Sequence, residues 1–261
     1  MKTNTSNWQQ FRKRVDGLFD QITNQSGDAI HKAAEAMVGA IERDAIIHVV
    51  AAGGHSQIPA MELFLRAGGL ANVSMMFPPG LGLFDGKPCL ERTPGMGGAT
   101  MAYHDVRPED VVMVCNYYGM NAATIDLALA AKKRRATLIA LTSVQFSRNT
   151  PPDFRARHPT KKNLCDIADI TIDTHTSVDE QLLSVPGVVQ KVGVASSIAA
   201  CFVIQLLNIR VVELARERNI DPPLWMCGNL PGGDETNLKY MRKYMPRMRH
   251  LYPEGDDYIG E

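Results

Sequence analysis

Two short segments carry the side chains best suited to chemistry. The first is Gly53-Gly54-His55-Ser56, where an imidazole and a hydroxyl follow paired glycines. Gly53 and Gly54 permit positive φ and let a ligand approach the main chain closely. Backbone N–H groups at the start of a following helix face bound anions. Ser56 can cap that helix or hold an anion, and His55 is of the type whose charge changes most readily near neutrality. A turn of this kind cradles a phosphate or a sugar. The second segment is Asn116-Tyr117-Tyr118-Gly119-Met120-Asn121. The amides of Asn116 and Asn121 and the hydroxyl of Tyr118 can donate to ligand oxygens, and the tyrosine rings can stack on a sugar ring or belong to the core.

Further candidates surround these two. Glu62 follows Ser56 by six positions, between Met61 and Leu63. It can serve as a base or pair with Arg66 one helical turn on. Lys191 precedes Gly193, Ser196 and Ser197, whose hydroxyls open an apolar helix. Glu180, in HTSVDEQ, and Glu235, in GGDET, are alternative carboxylates. Groups of these types, set beside a binding turn, suit general acid–base proton transfer to and from a bound ligand. His104, His158 and His175 are expected in surface loops. A metal site built from His104-Asp105, or from His175 with Asp173 and Asp179, has no strong ligand spacing behind it, so neither metal nor cofactor is expected.

The elements that must position these groups are legible from pattern. Ile46, Ile47, Val49 and Val50 form a β-branched run that reads as a buried strand leading into the first turn. Asp110–Cys115 (DVVMVC) does the same for the second turn, and a helix with Ile125, Leu127 and Leu129 follows it. Thr137–Thr142 (TLIALT) and Ile167–Asp173 (IADITID) read as further strands, and Ala71–Phe77 as a short one. Residues 8–43 show helical spacing broken near Ser26-Gly27, where Asp28 can cap the second helix. Val188–Arg218 reads as one or two long helices, and a basic helical segment surrounds Leu238–Arg249. Residues 78–100, rich in glycine, read as a long binding loop or lid, and Ser143–Lys162 as a polar stretch. Strands alternating with helices imply an α/β fold with a parallel sheet and helices on both faces. Its ligand site lies beyond the carboxyl ends of the strands. The expected division is a helical extension over 1–45, a main domain over 46–220 and a tail over 221–261.

Composition narrows the function classes. In 261 residues, 28 Lys and Arg balance 28 Asp and Glu, so no global field draws nucleic acid or an anionic membrane. The cysteines (Cys89, Cys115, Cys165, Cys201, Cys227) are scattered and odd in number, which suits a reducing compartment. The N-terminal MKTNTSNWQQFRKRVDG has no apolar core segment of a secretion signal, so a cytoplasmic location is expected. Val192–Ile209 is uncharged and long enough to raise the question of a membrane span. Its Ser196, Ser197, Gln205 and Asn208 favour a buried core helix.

The stretches AAGGHSQIPAMELFLRAGGL, DVVMVCNYYGMNAATIDLALAAKKRRATLIALTS, CDIADITID, KVGVASSIAACFVIQLL and NLPGGDETN resemble those of SIS (sugar isomerase) domains, specifically the stand-alone bacterial branch described as phosphosugar-binding. The resemblance implies a flavodoxin-like three-layer αβα sandwich behind the N-terminal helical extension. It also implies a homodimer or higher homo-oligomer, with a small-molecule sugar or sugar phosphate as partner. By position it assigns Gly54 and Ser56 to the first turn of the site, Asn116, Tyr118 and Asn121 to the second, and Ser196 and Ser197 to a third helix start. Two departures stand out. SIS proteins commonly present an S-x-S-G-x-[ST] pattern where this chain has Asn116, Tyr118 and Asn121, a change compatible with phosphate held differently or with an unphosphorylated sugar or sugar acid. Sugar-isomerising members place a carboxylate base near the third helix start, where this chain has Gln190-Lys191. The expected catalytic set is therefore Glu62 or Glu180 as base, with His55 and Lys191 handling oxygens. A non-catalytic sugar-phosphate sensor is the alternative, although this chain carries no helix-turn-helix signature.

Overall fold

The computed structural model describes residues 6–82, 88–177 and 181–249. Two helices, α1 (Ser6–Gln25) and α2 (Gly27–Glu42), are broken at Ser26 as the spacing predicts. Asp28 lies in the first turn of α2 without capping it, and the Ser26 hydroxyl instead donates to the Asp173 carbonyl at 2.8 Å. Next come β1 (Ile47–Ala51), α3 (Gln57–Leu63), β2 (Val73–Met76), a one-turn helix α4 (Pro88–Glu91) and α5 (Gly97–Tyr103). The segment expected to be one long loop thus contains α4 and the start of α5. The chain continues through β3 (Val111–Cys115), α6 (Ala122–Lys133), β4 (Thr137–Thr142), α7 (Val144–Asn149) and β5 (Ile170–Asp173). It ends with a hairpin of β6 (Gln181–Leu183) and β7 (Val192–Val194), then α8 (Ser196–Glu217) and α9 (Gly233–Tyr244). The apolar run from Val188 is therefore a loop, a strand and one helix.

The five-stranded sheet is parallel throughout, in the order β2-β1-β3-β4-β5, which is the flavodoxin-like arrangement. Strand pleating sends alternate residues to opposite faces. Ile47, Val49, Val111, Met113, Ile139 and Leu141 join the core under α2 and α8. Val50, Val112, Val114, Leu138 and Ala140 join the core under α5 and α6. In-register rows, Val49 with Met113 and Ile139 on one face and Val50 with Val114 and Ala140 on the other, keep both faces continuous. Each Ile, Leu or Val fully buried in these layers contributes roughly 1.5–3 kcal/mol. The helix α8 is long and apolar enough to cross a membrane by length and composition. It packs along α2, burying Ala199, Val203, Ile204, Leu207, Val211 and Leu214. Phe202, on the same helix, stacks on Phe19 of α1 with ring centroids 4.1 Å apart.

At the amino-terminal edge of the sheet, Trp225, Met241 and Tyr244 pack on Ile46 and Ala71. There Arg247 donates to both carboxylate oxygens of the fully buried Asp110, at 3.2 and 2.8 Å. Asp110 also accepts from the Ile46 and Arg107 amides and lies 3.3 Å from His48 Nε2.

Candidate functional site

Parallel strands end together, so the turns after β1 and β3 and the start of α8 converge beyond their carboxyl ends. They surround a cleft of 580 Å³ lined by Gly54, His55, Ser56, Asn116, Tyr118, Ser196 and Ser197, among others. Of the sequence-selected residues, these seven are brought together with Gly53 and Tyr117, while Asn121 is not among the lining residues. Glu62 is not among the lining residues: its Oε1 accepts from Gln205 Nε2 at 2.6 Å and pairs with Arg66 Nε at 3.1 Å. Lys191 is exposed just before β7, also outside the lining. Glu180 lies outside the described residues.

The first turn is opened by Gly53, whose φ of 101° is one that L side chains avoid. Gly54 needs no such freedom: it begins a short 3-10 turn, Gly54–Ser56, that runs into α3. Ser56 stands at the N-cap of α3 without bonding its amides, and its hydroxyl lies 3.5 Å from Asn116 Nδ2. Asn116 is buried and braces the two turns against each other. Its Nδ2 donates to the Ala52 carbonyl at 2.6 Å, and its Oδ1 accepts from the Gly119 amide at 2.8 Å. Gly119 itself has φ 60°, and a Cβ there would sit 2.4 Å from Thr142 Oγ1.

The carboxylate that does line the cleft is Glu91, at the end of α4. It sits directly on the first turn, where a Cβ added to Gly53 would lie 2.8 Å from Glu91 Cδ. The Gly54 amide donates to it, as does Asn121 Nδ2 at 3.4 Å. Asn121 occupies the N-cap of α6 but makes no side-chain cap; its amide is turned to Glu91 instead. Desolvation of the half-buried carboxyl raises its pKa, opposed by the neighbouring Arg92 charge and by the two hydrogen bonds. Glu91 is not a residue that spacing selects. The only signal for it is the reading of 78–100 as a binding segment.

One wall of the cleft is aromatic. Tyr117 and Tyr118 line it, their centroids 5.0 Å apart, and both contact the Phe146 ring, at 5.1 and 5.0 Å. The Tyr117 hydroxyl donates to the Ser177 carbonyl. On the floor, burial pushes the Cys115 thiol up to about 12, so it stays protonated and offers no thiolate nucleophile. The histidines expected in surface loops are built into the fold. His104 and His158 are buried, the latter between Asp126 and Thr160, and His175 contacts Ser26 and Asp173.

Comparison with known proteins agrees with this architecture. The SIS domain profile matches residues 10–143. A UPF0309 protein of Geobacillus kaustophilus is 31% identical over 242 residues, spanning 92% of this chain and 94% of that protein. A UPF0309 protein of Listeria monocytogenes serotype 4b is 30% identical over 234 residues, covering 88% and 93%. Among solved structures, the Escherichia coli CFT073 protein c3406, solved as a complex, covers 83% of this chain and 94% of its own at a TM-score of 0.54. At 14% identity that likeness is one of fold. The glycine turn, the sheet order and the extent of these matches agree: the chain belongs to the UPF0309 family of SIS domain proteins.

Proposed function

We propose that the cleft binds a sugar or sugar derivative and interconverts its aldose and ketose forms, with Glu91 as the proton-transferring carboxylate. The observation that carries this reading is the placement of Glu91: half-buried, facing the cleft across the glycine turn, with its pKa raised by desolvation. A carboxylate so placed is a stronger base than one in water, its pKa moved toward the neutral range where acceptance and return of a proton are best balanced. In the forward direction the C2–H bond breaks and its proton passes to a Glu91 oxygen. The freed electron pair forms the C1=C2 bond of an enediol as the C1 carbonyl oxygen takes up a proton. Collapse of the enediol to the ketone releases the C2 hydroxyl proton, and Glu91 delivers its proton to C1. His55 and Ser56, at the rim of the same turn, are placed to hold the two oxygens.

The test is incubation of the protein with aldoses and their phosphates in D₂O. Deuterium is expected at the carbon beside the carbonyl, and Glu91→Gln is expected to slow its incorporation by about 10²–10⁴-fold. Glu62→Gln, outside the cleft lining, is expected to exchange at the wild-type rate. Undiminished exchange in Glu91→Gln would remove Glu91 from the chemistry. Binding without any exchange would replace catalysis by sensing.

A further inference from the structure

Proteins hold a phosphate group with unspent backbone amides, with cations, or with both. The cleft lining, among the described residues, contains neither Lys nor Arg. Several amides of its two turns are spent within the protein. Gly53 N–H donates to the Leu81 carbonyl at 3.3 Å, Ser56 N–H to Gly53 at 3.1 Å and Asn116 N–H to Leu141 at 3.0 Å. Gly119 N–H is taken by Asn116 Oδ1 at 2.8 Å. Two further donors beside the first turn, the Gly54 amide and Asn121 Nδ2, both point to Glu91. The seat that a glycine turn offers to an anion is therefore filled by the protein's own carboxylate, pressed against Gly53. Besides these, the cleft is lined by hydroxyl-bearing residues (Ser56, Thr174, Ser196, Ser197) and the tyrosine wall. Those groups match the hydroxyls and the C–H face of a neutral sugar ring.

We propose that the cleft selects an uncharged carbohydrate over its phosphate ester, and that Glu91 is the residue imposing that choice. The inference rests on reading the cleft as a carbohydrate site and adds the class of carbohydrate. An ester phosphate entering the first turn would meet the like charge of Glu91, which no Lys or Arg among the described lining residues offsets; Arg92, next in the chain, is exposed outside that lining. A neutral hydroxyl there can donate to Glu91 instead.

The experiment is calorimetric titration of the full chain with glucose, mannose, galactose and allose, with the 6-phosphate of each, and with inorganic phosphate alone. At least one free sugar is expected to bind about tenfold or more tightly than its 6-phosphate, a margin set by one uncompensated like-charge contact. Inorganic phosphate is expected not to compete with it. Glu91→Gln, which keeps the shape and removes the charge, is expected to close most of that gap by tightening the 6-phosphate. A wild-type preference for the 6-phosphate, including one seated at the start of α8, would overturn the inference, as would a gap unchanged in Glu91→Gln. If such a preference accompanies Glu91-dependent exchange, the isomerase reading survives and only the choice of substrate class falls. Binding of neither class would overturn both.

Discussion

Two carboxylates stand at opposite ends of the same parallel sheet, and their surroundings differ in kind. Asp110, at the amino-terminal edge, is fully buried and receives donors from Ile46, Arg107, His48 and Arg247. Burial alone would raise its pKa, but these hydrogen bonds outweigh it and hold the carboxyl well below the usual carboxylate range. Glu91, at the carboxyl-terminal end, is half-buried and has the Gly54 amide and one long contact from Asn121, so desolvation prevails. A carboxylate saturated with donors is fixed in its ionised form and serves as a structural counter-charge. One stripped of water with few donors is ready to accept a proton. The same side-chain chemistry thus serves architecture at one end of the strands and, in the function proposed above, the ligand at the other.

The contrast can be broken most forcefully at Asp110. Asp110→Ala leaves the Arg247 guanidinium, only partly exposed, without its counter-charge, and is expected to cost about 3–5 kcal/mol. Urea unfolding measures this, and a loss under about 1 kcal/mol would mean that the cluster is not the structural charge described here. A subtler comparison uses pH, because the two groups have opposite signs of linkage. The depressed Asp110 contributes stability above its unfolded-state pKa and loses it as pH falls toward the folded value, so the acid limb of the wild-type stability curve should flatten in Asp110→Ala. The raised Glu91 favours the protonated native state, so its ionised form costs stability once pH exceeds the folded value. Glu91→Gln should therefore unfold at equal or higher urea than wild type at pH 7, with the difference vanishing below the ordinary carboxylate range. A Glu91→Gln variant less stable at neutral pH would show that the carboxylate has a structural duty. The smallest effect is expected at Glu62, whose pairing with Arg66 is an i,i+4 contact on a partly exposed helix face. Glu62→Gln should shift stability by only about 0.3–0.5 kcal/mol, and a much larger loss would point to its Gln205 contact.

These two ends were not equally legible in the chain. The strands β1, β3 and β4 announce themselves as β-branched runs, and their alternation with helices implies the parallel sheet and the convergence of the turns at Ser56 and Tyr118. Local pattern carries that far because side-chain periodicity follows from backbone geometry. Val192–Val194 escaped because a three-residue strand beside an apolar helix adds no distinct period. Glu91 escaped for another reason: it lies in a four-residue helix among prolines and glycines, and its meaning comes from Gly53 and Asn121, far along the chain. Arg247 and Asp110, 137 positions apart, are hidden in the same way. His104 and His158 read as loop residues because their burial follows from long-range packing.

The position of Arg247 has a consequence for how the protein is made. Asp110 is made 137 positions before the guanidinium that balances it, so it can enter the sheet well before Arg247 is available. Until then the base of the sheet carries a desolvated negative charge met only by His48 and two amides. The base of the nascent sheet is thus closed only once residues 225–247 are made, with Trp225, Met241 and Tyr244 packing on Ile46 and Arg247 meeting Asp110.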